Sequence, residues 1–376
     1  MKILYVTTVS STMNAFFKAH IEMLVKGGHS VDLACNDAGW PIDGFYKVLG
    51  CRYHHIDFSR SPLSTDNMKA YGQLKNVIEN GGYDIVHCHT PNASVITRLV
   101  CKSFRKKTGL KVFYTAHGFH FYKGAPKLNW MAYYPVEKFC SRFTDKLITI
   151  NREDYELAKN KFKAKEVNYV PGVGIDLSKF ENIQIDKAEK RKEIGVPDGA
   201  FLLLSVGELN ENKNHQIIIR ALAKLCDPNV HYAIAGVGDK KEYLLALAKE
   251  LGVSEQVHLL GYRKDVPELN RAADIFCFPS LREGLGLAAI EAMACGLPLI
   301  TSNVHGINDY SIDGVTGYKC DPMDADAFVR GMKKLQKDVD LSQSMGCYNK
   351  ALSDRYDIAK VNPLMRKIYE MSIWEE

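Results

Sequence analysis

The sequence predicts an α/β protein made of two tandem parallel sheets, each covered by helices. Three observations predict it. Short apolar runs alternate with helix-period segments throughout, the alternation restarts after the Pro/Gly-rich stretch "VPGVGIDLSKF" at 170–180, and 376 residues exceed one ordinary core but suit two.

The elements follow in order. "KILYVTT" (2–8) is a strand, and the next segment, "NAFFKAHIEMLVKGG", puts Phe17, Ile21, Leu24 and Val25 on one helical face before Gly27-Gly28 stops it. "SVDLAC" is the second strand. "YDIVHCH" (83–89), "KVFYTAH" (111–117) and "KLITIN" (146–151) repeat the pattern, each followed by a helical segment. "FLLLSVG" (201–207), "VHYAIAGVG" (230–238), "VHLLG" (257–261), "ADIFCFPS" (273–280) and "LPLIT" (297–301) make a second set of five. The expected domains are residues 1–172 and 173–360, with 361–376 an amphipathic helix crossing back to the first. Open α/β sheets bind ligands beyond the carboxyl ends of their strands, so a cleft between the two domains is the expected site.

Composition excludes several classes. Charged residues at 25% and hydrophobic residues at 46% describe an ordinary globular chain. The ten cysteines form no CxxC pair and no zinc-spaced cluster, which suits reduced thiols in a cytosol. The N-terminal apolar run is too short for a signal-peptide core, and no window reaches the length of a membrane span. Residues 1–175 carry 24 Lys and Arg against 14 Asp and Glu, and residues 176–376 carry 25 against 30. A first half near +10 and a second near −5 suggest that the first faces something anionic, a membrane surface or a phosphorylated substrate. Nucleic acid also fits the charge, but no nucleic-acid module is present.

Strand ends of the second half hold the unusual residues. "ELNENKNH" follows Gly207 and contains Lys213, "AGVGD" contains Gly236, and "SLREGLGLAAIEAMACGLPLITS" contains Glu283 and Glu291. A glycine turn entering a helix presents free N–H groups at a positive dipole end, so Gly284, Leu285, Gly286 and Leu287 could cradle a phosphate. Lys213 could add a point charge to the same group. Eight helical positions leave Glu291 roughly 80° off Glu283, so the carboxylates are not stacked neighbours. That spacing disfavours an acid and base pair on one bond and favours contacts to two parts of one elongated ligand, Glu291 accepting from a vicinal diol such as ribose. A glutamate at a helix start can also simply complement the dipole, and a lone lysine is commonly a solvated charge.

In the first half, "HCHTPN" and "TAHGFHFYKGAP" bring His87, His89, His117 and His120 to strand ends. They lack a convincing third metal partner. Neutral imidazoles hydrogen bonding a polar ligand are the better reading, with His87 expected to turn away from His89 and pack structurally. "DAD" at 324–326 imitates an acidic metal motif but stands where acids cap a helix. Arg98, Lys102, Arg105, Lys106 and Lys107 beside aliphatic residues, with the aromatics, Lys123 and Lys127 of "FHFYKGAPKLNWMAYYP", suggest a basic surface for an anionic membrane. A solvated helix face over a buried aromatic cluster is the alternative.

The collinear set "SVGELNENKNH", "AGVGD", "LGYRKDVPEL", "EGLGLAAIE", "AMACGLPLITS" and "DGVTGY" resembles the retaining glycosyltransferases of family 4, which have the GT-B fold of two facing Rossmann-like domains. "EGLGLAAIE" matches their E-x7-E pattern. "TAHGFHFYKGAP" with "YYPVEKF" looks like the branch that builds capsular polysaccharides, exopolysaccharides and protein-linked glycans on undecaprenyl diphosphate.

The resemblance implies that Glu291 binds the ribose of a UDP-sugar and Glu283 the donor sugar. It assigns Lys213 to the diphosphate with amides near Gly286 and Leu287, backbone near Arg263 to the uracil, and His117 to the catalytic centre. Gly207, Gly236 and Gly284 complete the donor side, and His89, His120 and Lys123 the acceptor side. One departure is Glu208, which stands where the family usually has Arg. The implied activity is metal-independent transfer of an N-acetylated hexosamine type of sugar to a polyprenyl-diphosphate-linked saccharide, without a cofactor, in the cytoplasm at the inner face of the membrane. A UDP-sugar 2-epimerase of similar architecture and a non-catalytic nucleotide-sugar-binding protein are the rivals.

Overall fold

The computed structural model describes residues 1–371. The chain forms two compact units, Met1–Gly174 with the chain from Ile358 onward, and Ile175–Asp357. The first contains strands β1 (Lys2–Val9), β2 (Ser30–Asn36), β3 (Arg52–His55), β4 (Ile85–His89), β5 (Lys111–Ala116), β6 (Lys146–Thr149) and β7 (Glu166–Tyr169). They form one parallel sheet in the order β3-β2-β1-β4-β5-β6-β7. The second contains β8 (Phe201–Val206), β9 (Val230–Ala235), β10 (Val257–Gly261), β11 (Ile275–Phe278), β12 (Leu299–Ser302) and β13 (Gly317–Cys320), in the parallel order β10-β9-β8-β11-β12-β13.

Ile3, Leu4, Tyr5 and Val6 of β1 and Leu202, Leu203 and Leu204 of β8 are fully buried. That is why these strands read as unbroken apolar runs rather than alternating ones: helices cover both faces of a parallel sheet. Three strands escape the periodicity reading, β3, β7 and β13. Each has four residues and lies at a sheet edge. An edge strand faces fewer neighbours, so "RYHH", "EVNY" and "GYKC" need no apolar run.

The helical segment after β1 is two helices, Ser10–Phe16 and Lys18–Lys26, separated by Phe17 at φ −114°. The break turns the Phe17 ring inward, where it lies 5.4 Å from Tyr5 and 4.3 Å from His89. Asp324 caps the helix Ala325–Lys337 by accepting from Asp326 N and Ala327 N, the role expected of "DAD". The last described helix, Ile358–Glu370, packs in the first unit against Lys18–Lys26, and Lys146 Nζ donates to the Ile368 carbonyl at 3.1 Å. Residues 372–376 of the terminal segment lie outside the described residues.

Candidate functional site

In the second unit the carboxyl ends of β8 and β11, neighbours in the sheet, bring two loops together. The Leu281 amide donates to the Asn212 carbonyl at 2.8 Å, and Asn212 Nδ2 donates to the Arg282 carbonyl at 2.9 Å. From the other side, the Gly306 amide donates to the Glu283 carbonyl at 3.1 Å. Held this way, Glu283 Oε2 lies 2.7 Å from Lys213 Nζ, an ion pair whose members are both about four-fifths buried. Phe278 lies beneath, with Lys213 Nζ 4.9 Å from its ring centre, a cation–π contact that restricts where the ammonium can go.

The loop ends at Gly286, whose φ of 88° is a left-handed conformation. A Cβ there would stand 2.4 Å from Phe278 Cε1, so both backbone and space call for glycine. The helix Leu287–Ala294 begins at the next residue; the Ala289 amide donates back to the Gly286 carbonyl at 3.1 Å, and the amides of Leu287 and Ala288 precede the first helical acceptor. Gly236 has a similar steric reason, since a Cβ would come within 1.8 Å of the Gly207 carbonyl oxygen. Side chains are therefore excluded where the backbone loops after β8 and β9 approach.

Glu291 lies on the second turn of the same helix. Burial pushes its carboxyl above the usual range, and Lys179 works against that shift. Were Glu291 to hold a ribose diol, as the resemblance implies, it could accept from both hydroxyls at once only while ionised, and affinity would weaken as pH falls through the raised titration. Calorimetric titration with UDP should show that acid loss in the wild type and a weaker, flatter profile in Glu291→Gln.

Arg263 is committed elsewhere. Its guanidinium pairs with Asp265, Nε to Oδ1 at 2.8 Å, and with Glu193. The side chain is thus engaged within the protein, which is compatible with the backbone contact that the resemblance implies here. Glu208, the departure from the usual arginine, is exposed and accepts from Asn210 Nδ2 at 2.8 Å.

Asn210, Asn212 and His215, outside the sequence-based candidates, also shape this loop. Asn210 Oδ1 accepts from the Lys213 amide at 3.0 Å. His215 Nε2 donates to the Glu208 carbonyl at 3.2 Å, which leaves Nδ1 beside the Tyr232 hydroxyl at 3.0 Å. The signal was the density of Asn and His in "ELNENKNH", residues that hydrogen bond backbone and so hold a loop open.

The first unit gathers His20, His87, His89 and His117 around Tyr5 and Phe17. His89 Nδ1 and His117 Nε2 lie 3.1 Å apart, one ring donating to the other. His87 bonds Tyr369 and, at 2.8 Å, Thr115 Oγ1. The expected turning of His87 away from His89 is corrected here: their rings are 4.2 Å apart, because residues two apart on a strand share a face. Burial holds His20 and His117 down to about 4, and holds His87 and His89 well below the usual histidine range. All four are neutral at pH 7.

The unfolded chain protonates these rings from about pH 6.5 downward, whereas the folded chain resists, so stability is full above that pH and falls as acid approaches the depressed folded values. The midpoint of thermal unfolding should drop between about pH 6.5 and 4.5, and His20→Leu should make that slope shallower. His20 is apt because neither ring nitrogen has a hydrogen-bond partner among the described residues.

Of the three residues expected on an acceptor side, His120 lines a cavity of about 320 Å³ with Thr8, Thr12, Arg60, Thr90 and Tyr133. Its ring stacks on Tyr133 at 4.6 Å. His89 is buried in the histidine cluster, and Lys123 is exposed with its amide donating to Glu153 at 2.5 Å. Thr90, absent from the sequence-based candidates, has φ 65°, an outlier for a β-branched residue, and its hydroxyl accepts from the Thr8 amide at 3.0 Å. Among the described residues no three His, Cys, Asp or Glu side chains converge as metal ligands.

Residues 186–352 match the family described as glycosyl transferases group 1, and residues 2–151 match glycosyl transferase 4-like. A putative glycosyltransferase, EpsD of Bacillus subtilis, is 36% identical over 98% of this chain and 96% of its own. The chain is a group 1 glycosyltransferase. This transferase is also 27% identical, over 93% of its length and 90% of the relative's, to the Escherichia coli UDP-Gal:alpha-D-GlcNAc-diphosphoundecaprenol alpha-1,3-galactosyltransferase. Its fold is GT-B. Anabaena Alr3699/HepE in complex with UDP and glucose superposes with a TM-score of 0.79 at 19% identity, covering 99% of this chain and all of the other. Sucrose-phosphate synthase from Thermosynechococcus elongatus does so with 0.82 at 19% identity over the full length of both.

Proposed function

We propose that this transferase moves a sugar, an N-acetylated hexosamine type, from a UDP-sugar to a polyprenyl-diphosphate-linked saccharide, with retention at the anomeric carbon. The observation that carries the donor half is the Lys213–Glu283 pair at 2.7 Å beside a glycine turn that opens a helix. In this reading the diphosphate takes Lys213 and the first-turn amides, the sugar takes Glu283, and the ribose takes Glu291. The loop backbone at Gly207, Gly236 and Gly284 completes the donor side, and the backbone at Arg263 meets the uracil. His117, neutral at pH 7, offers a hydrogen bond to the sugar.

The acceptor hydroxyl attacks the anomeric carbon from the leaving group's side. The carbon–oxygen bond to UDP breaks, and the departing phosphate oxygen takes the acceptor's proton. Charge on the leaving diphosphate is met by the lysine and the helix end, so the reading requires neither metal nor cofactor. The acceptor relation rests on likeness to a relative named for a diphosphoundecaprenol substrate. His120, Thr90 and Arg60, which share one cavity, are suited to a polar acceptor headgroup.

A donor screen that reads UDP release with and without a lipid-linked acceptor pool tests the proposal. Turnover with a UDP-N-acetylhexosamine that requires acceptor supports it. Interconversion of the donor without acceptor would identify a 2-epimerase, and UDP-sugar binding without turnover would identify a binding protein.

A further inference from the structure

At the carboxyl end of β4 a strained residue follows a buried histidine. Thr90, at φ 65° and ψ 144°, holds a conformation that β-branched residues seldom adopt and that persists only where the surroundings over-determine it. Its hydroxyl donates to the His89 carbonyl and accepts from the Thr8 amide at 3.0 Å and the Thr8 hydroxyl at 2.7 Å. Thr8 belongs to β1, which pairs with β4, so the sheet itself fixes the direction in which His89 leaves its strand.

His89 is 1% exposed, and rings enclose it. It stacks on Tyr5 at 4.6 Å and lies 4.3 Å from Phe17 and 4.2 Å from His87. Its Nδ1 is 3.1 Å from His117 Nε2, and its Nε2 meets no hydrogen-bond partner among the described residues. A ring so enclosed is out of reach of a substrate. Burying an imidazole costs desolvation that a hydrocarbon side chain in the same place would not incur, so the bond to His117 is what calls for a histidine here. His117 is half-buried, and with its Nε2 engaged Nδ1 is its remaining polar atom.

We propose that His89 is a positioning residue for His117: by engaging Nε2 it fixes the plane of that ring and leaves Nδ1 as the nitrogen a ligand meets. The inference rests on the reading of His117 as a contact to the donor sugar, and it takes His89 off the acceptor side. Nδ1 donates or accepts according to which ring holds the shared proton, and a sugar hydroxyl can answer either. Rotation about χ2 of a histidine is only broadly restrained, so without His89 the His117 ring leaves the productive geometry more often. Misplacement of such a group by about 1 Å can cost on the order of a hundredfold in rate.

Packing and hydrogen bonding can be separated at this position. His89→Leu keeps apolar bulk and removes the bond, whereas His89→Asn sets a carboxamide atom near the place of Nδ1 and gives up the ring. The leucine variant should unfold at a higher temperature than the asparagine variant, yet lower kcat by at least about tenfold with KM for the UDP-sugar within about threefold of wild type. The asparagine variant should keep kcat within about threefold. If kcat instead follows thermal stability, His89 acts by packing alone and the proposal is overturned. The wild type carries a second test that needs no folded variant at position 89: with ring-15N-labelled histidine, His89 and His117 should show a scalar coupling across their hydrogen bond, and its absence would also overturn the proposal. His117→Ala separates this from the underlying reading. Near-full turnover there would remove His117 from the reacting sugar, whereas a slow His117→Ala beside a His89→Leu of wild-type kcat would refute only the role of His89.

Discussion

Replacing Lys213 with alanine is expected to lower turnover on the order of a hundredfold, about 2.7 kcal/mol of transition-state stabilisation. Lys213 is the cation paired to Glu283 and seated over Phe278. In the proposed site, with Glu208 where the resemblance leads one to expect arginine, more of the leaving-group charge would fall on this one ammonium. UDP release under saturating donor and acceptor is the measurement. Lys213→Ala could also act indirectly, by leaving Glu283 without its partner. The double variant with Glu283→Gln separates the two effects, because residues in contact are non-additive. If Lys213 served only to neutralise Glu283, the double variant would recover. A role on the diphosphate requires it to remain as slow as Lys213→Ala. Near-full turnover in Lys213→Ala would refute the assignment.

The second large effect concerns stability. Glu137→Ala should destabilise the chain by about 3–5 kcal/mol, because it leaves Arg98 buried without a counter-charge. Arg98 is fully buried, its Nη1 2.8 Å from Glu137 Oε2, its guanidinium 4.2 Å from the Tyr114 ring centre, and its Nε donates to the Ser94 carbonyl at 3.0 Å. Replacing both partners with apolar residues, Arg98→Met with Glu137→Leu, should recover most of the loss, since a buried pair spends much of its attraction on desolvation. Denaturant unfolding of the wild type, the single variant and the double variant decides it. A Glu137→Ala loss below about 1 kcal/mol would mean that the pair is effectively solvated.

This pair also corrects the reading of the basic helix. Arg98 and Arg105 were expected to share one surface with Lys102, Lys106 and Lys107. Arg98 instead faces inward to a glutamate 39 positions along the chain, and Arg105 is held by Asp145. A local pattern of Lys and Arg cannot distinguish a solvated cation from a buried one whose partner arrives from another helix. The exposed cations of the expected surface are therefore Lys102, Lys106, Lys107, Lys123 and Lys127.

The candidate donor site was more legible. Gly286, Glu283 and Glu291 lie within nine residues, so strand, turn and helix geometry alone set their order. Their separation into a loop carboxylate and a helix carboxylate follows from that local spacing. The Lys213–Glu283 contact joins residues 70 positions apart and depends on β8 lying beside β11. Of the acceptor-side candidates, His120 and Lys123 share one short segment while His89 lies on another, and only His120 lines the cavity with Arg60 and Thr90. His87 and His89 were within reach of strand periodicity, which places residues two apart on one face.

By itself the sequence determined the alternation of strands and helices, the restart that makes two units, the glycine turn and the order of the carboxylates, because each depends on backbone torsions and spacing over a few residues. The tertiary structure alone decided which arginines lose their water, which short polar segments become edge strands, how deeply Glu291 is buried, and that the helix Lys127–Cys140 exposes apolar residues such as Leu128 and Met131. Those outcomes depend on burial and partner identity, which arise when segments far apart in the chain pack together.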